Sequence, residues 1–356
     1  MRTRPARRNA AVAAVAALGL LALSACSSGS DAPAASATPD ASASATAATD
    51  TFPVTITHAF GETTVPAEPT RVVTVSWANQ DTVIALGVAP VAQPFASYGG
   101  DAEGWLPWTK TGFEALGAAQ TPTLLSEDDG LPFEDIAAAD PDVIVATYSG
   151  LTQEDYDTLT GIAPTIAYPE VAWNTDWKTQ LELTGKALGR SAKAAEVTAS
   201  VEKSITDAVA AAPELAGTSF AYLWFSSADP STVTYYTTHD ARVRFVESLG
   251  LVSAPKIVEL SGKDSAFFGT ISAELADTID ADVVLAYVDD EAHLEAVKKD
   301  PLLSTIPAVK NGAIVPLFDP TFILSTSAPS ALSVPWAIAE YVPPLVDAAK
   351  TAKAAG

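Results

Sequence analysis

The sequence predicts an α/β protein of two lobes, with a parallel sheet in each lobe and a long helical connection between them. From residue 51 onward, short β-rich runs alternate with helical segments, which is typical of parallel sheets covered by helices. One long stretch, residues 173–212, breaks this alternation and contains no proline. The length of 356 residues also favours two lobes of roughly 100 to 200 residues over one small core.

The first lobe, residues 51–172, is predicted to begin with a hairpin whose turn contains Gly61-Glu62. A buried strand pattern follows, and the next helical segment ends at Gly87, a residue type that favours helix termini. The predicted strands are residues 54–60, 63–65, 71–76, 88–93, 123–126, 143–147 and 165–168, and the predicted helices are residues 79–86 and 133–139.

Residues 173–212 form the longest helical pattern in the chain. Apolar positions such as Leu181, Leu188, Val201 and Ile205 are separated by charged residues. The pattern predicts one continuous helix or two abutting helices. A span on the order of 50 Å is long enough to brace two lobes.

The second lobe, residues 213–356, resumes the α/β pattern. Residues 133–145 and 271–285 share one plan, a short helix, an acidic turn and a hydrophobic strand. This repeat favours a bilobal binding protein over a catalytic barrel, with the ligand in the crevice between the lobes. The predicted strands of this lobe are residues 220–225, 283–287 and 314–317, and its predicted helices are residues 242–249, 271–277, 292–299 and 329–354.

Residues 1–25 are typical of a lipoprotein signal peptide. Four arginines precede an apolar run at residues 10–23, which is shorter than the roughly 20 residues needed to span a bilayer. The run ends in Leu-Ser-Ala followed by Cys26, a pattern in which the cysteine thiol receives a lipid group. Residues 26–50, the lipidated cysteine and a stretch rich in Ser, Ala, Thr and Pro, form a predicted flexible tether. The expected location is the extracytoplasmic face of the cell membrane.

Charge and cysteine content exclude several classes of function. The formal charge of −23 arises from 43 acidic and 20 basic residues, and removal of the signal peptide makes it −27. Nucleic acid is therefore not an expected partner, because polyanions are bound by clustered Lys and Arg. The single cysteine also excludes a disulfide framework and any cysteine-based zinc or iron–sulfur site.

Enzyme signatures do not form a coherent set in the sequence. The serine-hydrolase pattern Gly-x-Ser-x-Gly does not occur. Ser200-x-x-Lys203 and Lys110-Thr-Gly112 match motifs of penicillin-recognising enzymes, but in reversed order. We therefore predict a protein that is not an enzyme. A lipid-anchored adhesin or scaffold, which needs no ligand cleft, remains an alternative.

Six segments, spread over nearly all of residues 51–350, carry a resemblance to a known family. They include Asp140-Pro-Asp-Val-Ile-Val and Phe245-Val-Glu-Ser-Leu-Gly-Leu. In order and spacing they resemble the iron and cobalamin class of substrate-binding proteins of ABC importers, and most closely its ferric-siderophore-binding lipoproteins. The segments are residues 69–75, 85–91, 140–145, 156–165, 245–251 and 301–312.

The resemblance implies a class III periplasmic binding protein, in which two Rossmann-like lobes with parallel sheets are joined by one long rigid helix. Such a protein acts as a monomer and needs no cofactor. It captures an Fe(III)-siderophore complex outside the membrane and delivers it to the permease dimer of an ABC transporter, with limited hinge motion. The alternative keeps this fold and changes the cargo to cobalamin or haem.

Members of the family carry one docking glutamate on each lobe, which pairs with arginines of the permease. The resemblance assigns these roles to Glu134, before Asp140-Pro141, and to Glu247, in the helix that ends before Gly250. Exposed ion pairs accelerate encounter and add little affinity, which suits transient docking.

The iron of a ferric siderophore is already coordinated, so the pocket is expected to offer aromatic walls and a few cations and no direct metal ligand. Of the three histidines, His58 falls in the hairpin and His293 in an acidic helix, which argues against a three-histidine site. His239 is expected to form a loop hydrogen bond or to contact iron. The siderophore class, hydroxamate, catecholate or mixed, stays open. The predicted ligand-binding residues are Trp77, Tyr98, Trp105, Trp108, Tyr148, Trp224, Tyr236, His239, Arg242 and Phe268, with Lys110, Tyr235, Arg244 and Phe318 in the same loops.

Overall fold

The computed structural model describes residues 50–262 and 266–355. The predicted signal peptide, the lipidated Cys26 and all but the last residue of the predicted tether lie outside these ranges. Within them, no helix combines the length and apolar character needed to cross a membrane.

The first lobe begins with the predicted hairpin, in which β1 (Val54–His58) pairs antiparallel with β2 (Gly61–Val65). His58, the last residue of β1, is buried, and its Nε2 lies 2.9 Å from the Thr63 hydroxyl. The remaining elements of this lobe are β3 (Val72–Thr74), α1 (Asn79–Ala85), β4 (Ala92–Pro94), α2 (Pro107–Leu116), β5 (Thr123–Leu125), α3 (Phe133–Ala138), β6 (Val143–Ala146), α4 (Gln153–Thr160) and β7 (Thr165–Ala167).

The five strands after the hairpin form a parallel sheet in the order β5-β4-β3-β6-β7, as predicted. All residues of the central strands β3 and β6 are buried. Strands covered on both faces are continuously apolar, which explains the unbroken Val and Ile runs in the sequence. The carboxyl ends of these strands lead into the loops that build the site.

Two consecutive helices follow the first lobe, in place of the single long helix implied by the resemblance. α5 (Trp177–Ala187) begins at Asp176, whose carboxylate caps two backbone N–H groups. α6 (Ser191–Ala211) starts after a short break. Gly189 in this break has a φ of 68°, a left-handed conformation that is typical of a helix end. α5 packs against α1 and β1, and α6 packs against α5 and the last helix of the chain.

The second lobe again alternates strands and helices. The predicted strands at residues 283–287 and 314–317 are present with these bounds. The elements are β8 (Ser219–Phe225), β9 (Thr232–Tyr236), α7 (Ala241–Ser248), β10 (Val252–Ser253), α8 (Pro255–Ser261), β11 (Phe268–Ser272), β12 (Val283–Tyr287), α9 (Glu291–Lys299), α10 (Pro307–Asn311), β13 (Ile314–Leu317), α11 (Pro320–Ser327) and α12 (Ser333–Ala355).

The sheet of the second lobe is mixed, whereas a purely parallel sheet was expected. β8, β12 and β13 are parallel, but β9 pairs antiparallel with both β8 and β11. Tyr236, expected in a loop, therefore lies in β9, and Phe268 begins the edge strand β11. Residues 271–277, expected to be helical, form the end of β11 and a 3₁₀ turn at Ala273–Thr278. β9 follows β8 in a hairpin, and β11 pairs with β9 from farther along the chain. The local sequence pattern does not reveal the direction of strand pairing.

The repeat between the lobes extends to their hydrogen bonds. β6 lies between β3 and β7, and β12 lies in the same way between β8 and β13. Asp142, just before β6, accepts the N–H and hydroxyl of Thr70 at 2.7 and 2.9 Å. Asp282, just before β12, accepts the N–H and hydroxyl of Ser219 at 2.9 and 2.8 Å. Each aspartate fastens the start of its strand to the start of the neighbouring strand.

One hydrophobic cluster extends through both lobes. It includes Val72 of β3, Leu181 of α5, Val201 of α6 and Tyr341 of α12. Two further clusters cover the other faces of the two sheets. Because packed interiors deform little, a core shared between the lobes limits the rotation of one lobe against the other.

Candidate ligand cleft

Two adjoining cavities lie where the lobes meet, with volumes of about 430 and 410 Å³. Both are bordered by Trp77, Tyr98 and Leu324, so they form one cleft. We call the cavity walled mainly by the first lobe the N-half and the cavity walled mainly by the second lobe the C-half. A cleft of this volume accommodates an organic ligand of several hundred cubic ångströms.

Trp77 lies where the two halves meet and is 48% exposed. It occupies the turn between β3 and α1, between Ser76 and Ala78, whose φ angles of 61° and 63° are left-handed. Asn79 supports this turn through Nδ2, which donates to three backbone carbonyls at 2.8, 3.2 and 2.9 Å. Unusual backbone of this kind is common at binding sites. The turn holds the Trp77 indole in the cleft, where it packs on Trp173 with ring centroids 5.8 Å apart.

Glu127 borders the N-half in the loop after β5. The N–H of Ser76 donates to both of its carboxylate oxygens at 3.0 Å. Burial raises the pKa of Glu127 to about 7, because the charged form loses solvation there. The neighbouring Asp128 accepts a 2.7 Å hydrogen bond from the Ser97 hydroxyl, which joins the loops after β4 and β5.

Trp108 lies at the base of the N-half and is buried. Its Nε1 donates to Asp81 Oδ2 at 2.8 Å, and the hydroxyls of Thr109 and Ser330 also donate to this carboxylate. Burial raises the pKa of Asp81 to about 6, although these donors oppose the shift. Because Ser330 lies just before α12, the network joins the first lobe to the C-terminal helix.

Aromatic side chains of the second lobe wall the C-half. Trp224 and Phe318 border it with 43% and 44% of their surface exposed. Tyr222, Tyr236 and Tyr287 pack edge to face, with ring centroids 5.3 to 5.6 Å apart. Tyr236 and Tyr287 border the C-half, whereas Tyr222 is buried behind them. With Trp224 and Phe318, the bordering rings present a rigid, largely apolar surface.

Arg242 supplies a positive charge to the C-half. Its guanidinium carbon lies 4.1 Å from the centroid of the Tyr236 ring, and Nη1 donates to the Tyr287 hydroxyl at 3.3 Å. Arg242 Nε lies 2.7 Å from Oδ1 of Asp240, which makes an ion pair, but the N–H direction does not complete a hydrogen bond. Contacts within the protein thus hold Arg242 in position without a ligand.

Six of the predicted ligand-binding residues border the cleft, as does Phe318. Three of the six lie in the first lobe and three in the second. They are Trp77, Tyr98, Trp108, Trp224, Tyr236 and Arg242.

Trp105 does not border the cleft. Its ring packs on Phe113 at 5.3 Å and borders a separate surface cavity, together with Lys110. Lys110 is paired with Asp101 and Glu103 at 2.9 and 2.8 Å, so its charge is neutralised outside the cleft.

Tyr148, His239 and Phe268 also lie outside the cleft lining. Tyr148 is buried and donates to the Ser327 carbonyl at 3.1 Å, a contact between the lobes. The side chain of His239 buries Nε2 without a hydrogen-bond partner in the described part of the chain. Phe268 packs at a tilted angle against its neighbour Phe267 at the sheet edge.

Arg244 and Tyr235, from the same predicted loops, also serve the fold. Arg244 Nη1 donates to Asn174 Oδ1 at 2.8 Å, which links α7 to the segment before α5. The hydroxyl of Tyr235 points to the Leu260 carbonyl, at 3.5 Å.

Trp173, Glu127 and Tyr287 border the cleft but were not predicted from the sequence. Trp173 was assigned to the long helix, yet it lies in a turn with a φ of 60°. The capping residue Asp176 was the available signal, since it places the helix start after Trp173. Glu127 follows a predicted strand, the position where α/β folds place binding loops.

Across residues 50–262 and 266–355, no group of three or more His, Cys, Asp or Glu is arranged to hold a metal ion. A cleft between two α/β lobes, walled by aromatic rings and backed by a shared core, defines a protein that binds a bulky organic ligand. The chain belongs to the periplasmic binding protein family, whose model matches residues 72–320. The predicted class III fold of two α/β lobes is confirmed.

Several known proteins are similar to this chain. One is the probable siderophore-binding lipoprotein YfiY of Bacillus subtilis, 28% identical over 72% of this chain and 78% of its own length. Another is the ferric enterobactin-binding periplasmic protein FepB of Escherichia coli, 26% identical over 77% of this chain and 86% of its own length. The crystal structure of Streptococcus pneumoniae PiaA in complex with ferrichrome superposes with a TM-score of 0.78 and 39% identity, covering 84% of this chain and 99% of PiaA.

Proposed function

We propose that this protein binds a ferric siderophore outside the cell membrane and delivers it to the permease of an ABC importer. The cleft carries the proposal, because Trp77 of one lobe and Trp224 of the other border the same cavity as Arg242. A chelate that saturates its own iron needs such walls and no metal ligand from the protein. The relatives described as siderophore-binding, and the PiaA complex with ferrichrome, support this cargo. The role is binding and transport, not catalysis.

Cobalamin or haem remains the alternative cargo, since both are bulky ligands that aromatic walls accept. An adhesin or scaffold is less compatible with the structure, because it gives no reason for a cavity of about 430 Å³ bordered by an exposed tryptophan.

The cargo is tested by titrating the mature protein with ferric hydroxamate, catecholate and mixed siderophores while tryptophan fluorescence is followed. Trp77 and Trp224 lie in the cleft lining, so a bound ferric chelate is expected to quench them saturably. We expect a Kd on the order of 1 μM or lower for at least one chelate. Saturable binding of cobalamin or haem, with no response to any ferric siderophore, would contradict the proposal.

Glu134 is proposed to dock on the permease. It is exposed in the first turn of α3, where an arginine of a partner can reach it. Glu247, the second predicted docking residue, is half-buried, and the Ser253 hydroxyl donates to its Oε1 at 2.7 Å. Glu274 is exposed in the turn before β12, as Glu134 is before β6. The repeat therefore favours Glu134 and Glu274 as the matched docking pair over Glu247.

Charge reversal distinguishes these residues. Glu134→Lys and Glu274→Lys are each expected to reduce iron uptake by about tenfold or more, and to leave the Kd for the ferric chelate unchanged. Glu247→Lys is expected to lower stability, because it removes the acceptor of Ser253. Uptake assays in cells with equal receptor levels make the comparison. Normal uptake with Glu274→Lys and loss of uptake with Glu247→Lys would instead assign docking to Glu134 and Glu247.

We further propose that the mature chain is a monomer, anchored to the extracytoplasmic face of the membrane by a lipid on Cys26. The relative YfiY, described as a lipoprotein, supports this location. Cys26→Ala is expected to abolish labelling by a radioactive fatty acid and to release the protein from the membrane fraction. Unchanged labelling would exclude Cys26 as the attachment point.

A further inference from the structure

Carboxylates outnumber cations in the lining of the cleft. Among the described residues that border it, Arg242 is the only Lys, Arg or His. Lys110 and Arg244 are engaged outside it, with acidic partners and with Asn174 respectively. The carboxylates of the lining are Asp81, Glu127, Asp128, Asp155 and Asp289.

The N-half also holds acceptors with unused hydrogen-bonding capacity. Gln80 borders it and is 6% exposed, and Gln80 Oε1 has no hydrogen-bond partner among the described residues. Glu127 receives the single N–H of Ser76, which its two oxygens share. A carboxylate can accept about four hydrogen bonds, so Glu127 retains capacity for a donor. Buried acceptors without donors cost free energy, which a ligand that donates there would recover.

Arg242 does not compensate for the acidic N-half. Its guanidinium is stacked on Tyr236, is bonded to Tyr287 and lies beside Asp240. These contacts keep its charge in the C-half, partly neutralised by the adjacent carboxylate. The two halves therefore differ in chemistry. Among the described residues, Arg242 is the charged side chain that donates in the C-half, whereas the charged side chains of the N-half are all acceptors.

On the basis of the proposed function, we infer that the cleft selects ferric chelates of the hydroxamate class with a net charge of zero or +1, and that Glu127 and Gln80 receive a protonated amine of the chelate. Three hydroxamates each lose one proton, so their complex with Fe³⁺ is neutral, and a pendant ammonium makes it +1. A tricatecholate complex carries a charge of −3. That charge would meet the carboxylates of the N-half with a single arginine to offset them, and like charges across an interface oppose binding.

Two chelates that differ only at the amine test this inference. Ferrioxamine B carries the ammonium group, and its N-acetylated form presents the same iron centre without charge. We expect the wild-type protein to bind ferrioxamine B about fivefold or more tightly than the acetylated form, with ferric enterobactin weakest. Glu127→Gln is expected to remove the preference by weakening the cationic chelate alone. Glu114→Gln, which removes an exposed carboxylate of α2 outside the cleft, is the matched control and should keep the preference.

Charge selection is overturned by any of three results. These are equal affinity of the wild-type protein for the two ferrioxamines, an equal loss for both in Glu127→Gln, and tightest binding of ferric enterobactin. All three leave a ferric siderophore bound, so the proposed function would stand. Binding of cobalamin or haem with no chelate bound would refute the proposed function itself. The comparison on the wild-type protein decides the matter even if Glu127→Gln does not fold.

Discussion

At the residue scale, Trp77 and Trp224 leave part of their rings exposed in the cleft for different reasons. Trp77 remains 48% exposed because the turn that carries it is fastened by Asn79 to three carbonyls. Trp224 follows the buried Tyr222 on the same face of β8, beyond the point where the shared core covers the strand. Both rings therefore have surface to bury when a ligand enters, and little of it contributes to folding.

Trp77→Ala and Trp224→Ala are each expected to weaken binding of the ferric chelate by about tenfold or more, because buried aromatic anchors dominate binding energies. The midpoint of thermal unfolding should change little, since the rings are 48% and 43% exposed. Trp105→Phe is the control, because Trp105 packs on Phe113 outside the cleft. Fluorescence titration measures the effect. Unchanged affinity in both alanine variants would place the ligand elsewhere.

Asp81 makes stability depend on pH. Its folded pKa of about 6 exceeds the ordinary value of 3.8, so the folded state binds the proton more tightly. The contribution of Asp81 to stability is therefore smallest above pH 6 and increases as the pH falls, by about 3 kcal/mol once both states are protonated. Urea unfolding at pH 7, 5.5 and 4.5 should show that the free energy of unfolding of wild type increases relative to that of Asp81→Asn as the pH falls. A stability difference between wild type and Asp81→Asn that does not change with pH would contradict the raised pKa of Asp81.

At the element scale, the same arrangement of hydrogen bonds joins two neighbouring strands within each lobe. Asp142 and Asp282 occupy equivalent positions before β6 and β12 and accept hydrogen bonds from the start of the neighbouring strand. The break between α5 and α6 is a second local feature, because Gly189 at a φ of 68° lies against the ring of Phe52. A side chain there would meet both strain and a clash.

Asp142→Ala and Asp282→Ala are each expected to lower the free energy of unfolding by about 0.5 to 1.5 kcal/mol, because each removes hydrogen bonds that lie at an exposed site. Neither aspartate borders the cleft, so the Kd for the chelate should not change. Asp277→Ala, which removes an exposed carboxylate, is the matched control and should cost about 0.5 kcal/mol or less. Chemical unfolding of the three variants provides the measurement. Equal stability of all three variants would show that the hydrogen bonds of Asp142 and Asp282 do not stabilise the fold.

At the scale of the whole molecule, the lobes are joined by polar contacts in addition to the shared core. The Tyr148 hydroxyl donates to the Ser327 carbonyl, and the Thr321 hydroxyl donates to the Gly99 carbonyl at 2.7 Å. The Ser330 hydroxyl reaches Asp81 at 2.7 Å. Such connections favour a cleft formed before the ligand arrives over one that closes by rotation of the lobes.

Ligand binding is therefore expected to change the radius of gyration by less than about 1 Å. Small-angle X-ray scattering of the mature protein, with and without a saturating ferric chelate, measures this quantity. A decrease of about 1 Å or more would show closure of the lobes and contradict the rigid core. Tyr148→Phe, which removes one contact between the lobes, tests whether that contact limits the motion.

The sequence by itself determined the α/β class, the two lobes, the repeat and the hairpin, because these follow from local periodicity and turn chemistry. Five of the aromatic residues selected from the sequence, Trp77, Tyr98, Trp108, Trp224 and Tyr236, border the cleft. Only the tertiary structure decided that Trp77 and Trp224 border one cavity while Trp105 does not, and that Lys110 is neutralised elsewhere. The reason is that exposure and charge at a cleft depend on contacts between segments far apart in the chain. The pairing of β9 with β11 and the acidic N-half depend on such contacts, and periodicity carries no information about them.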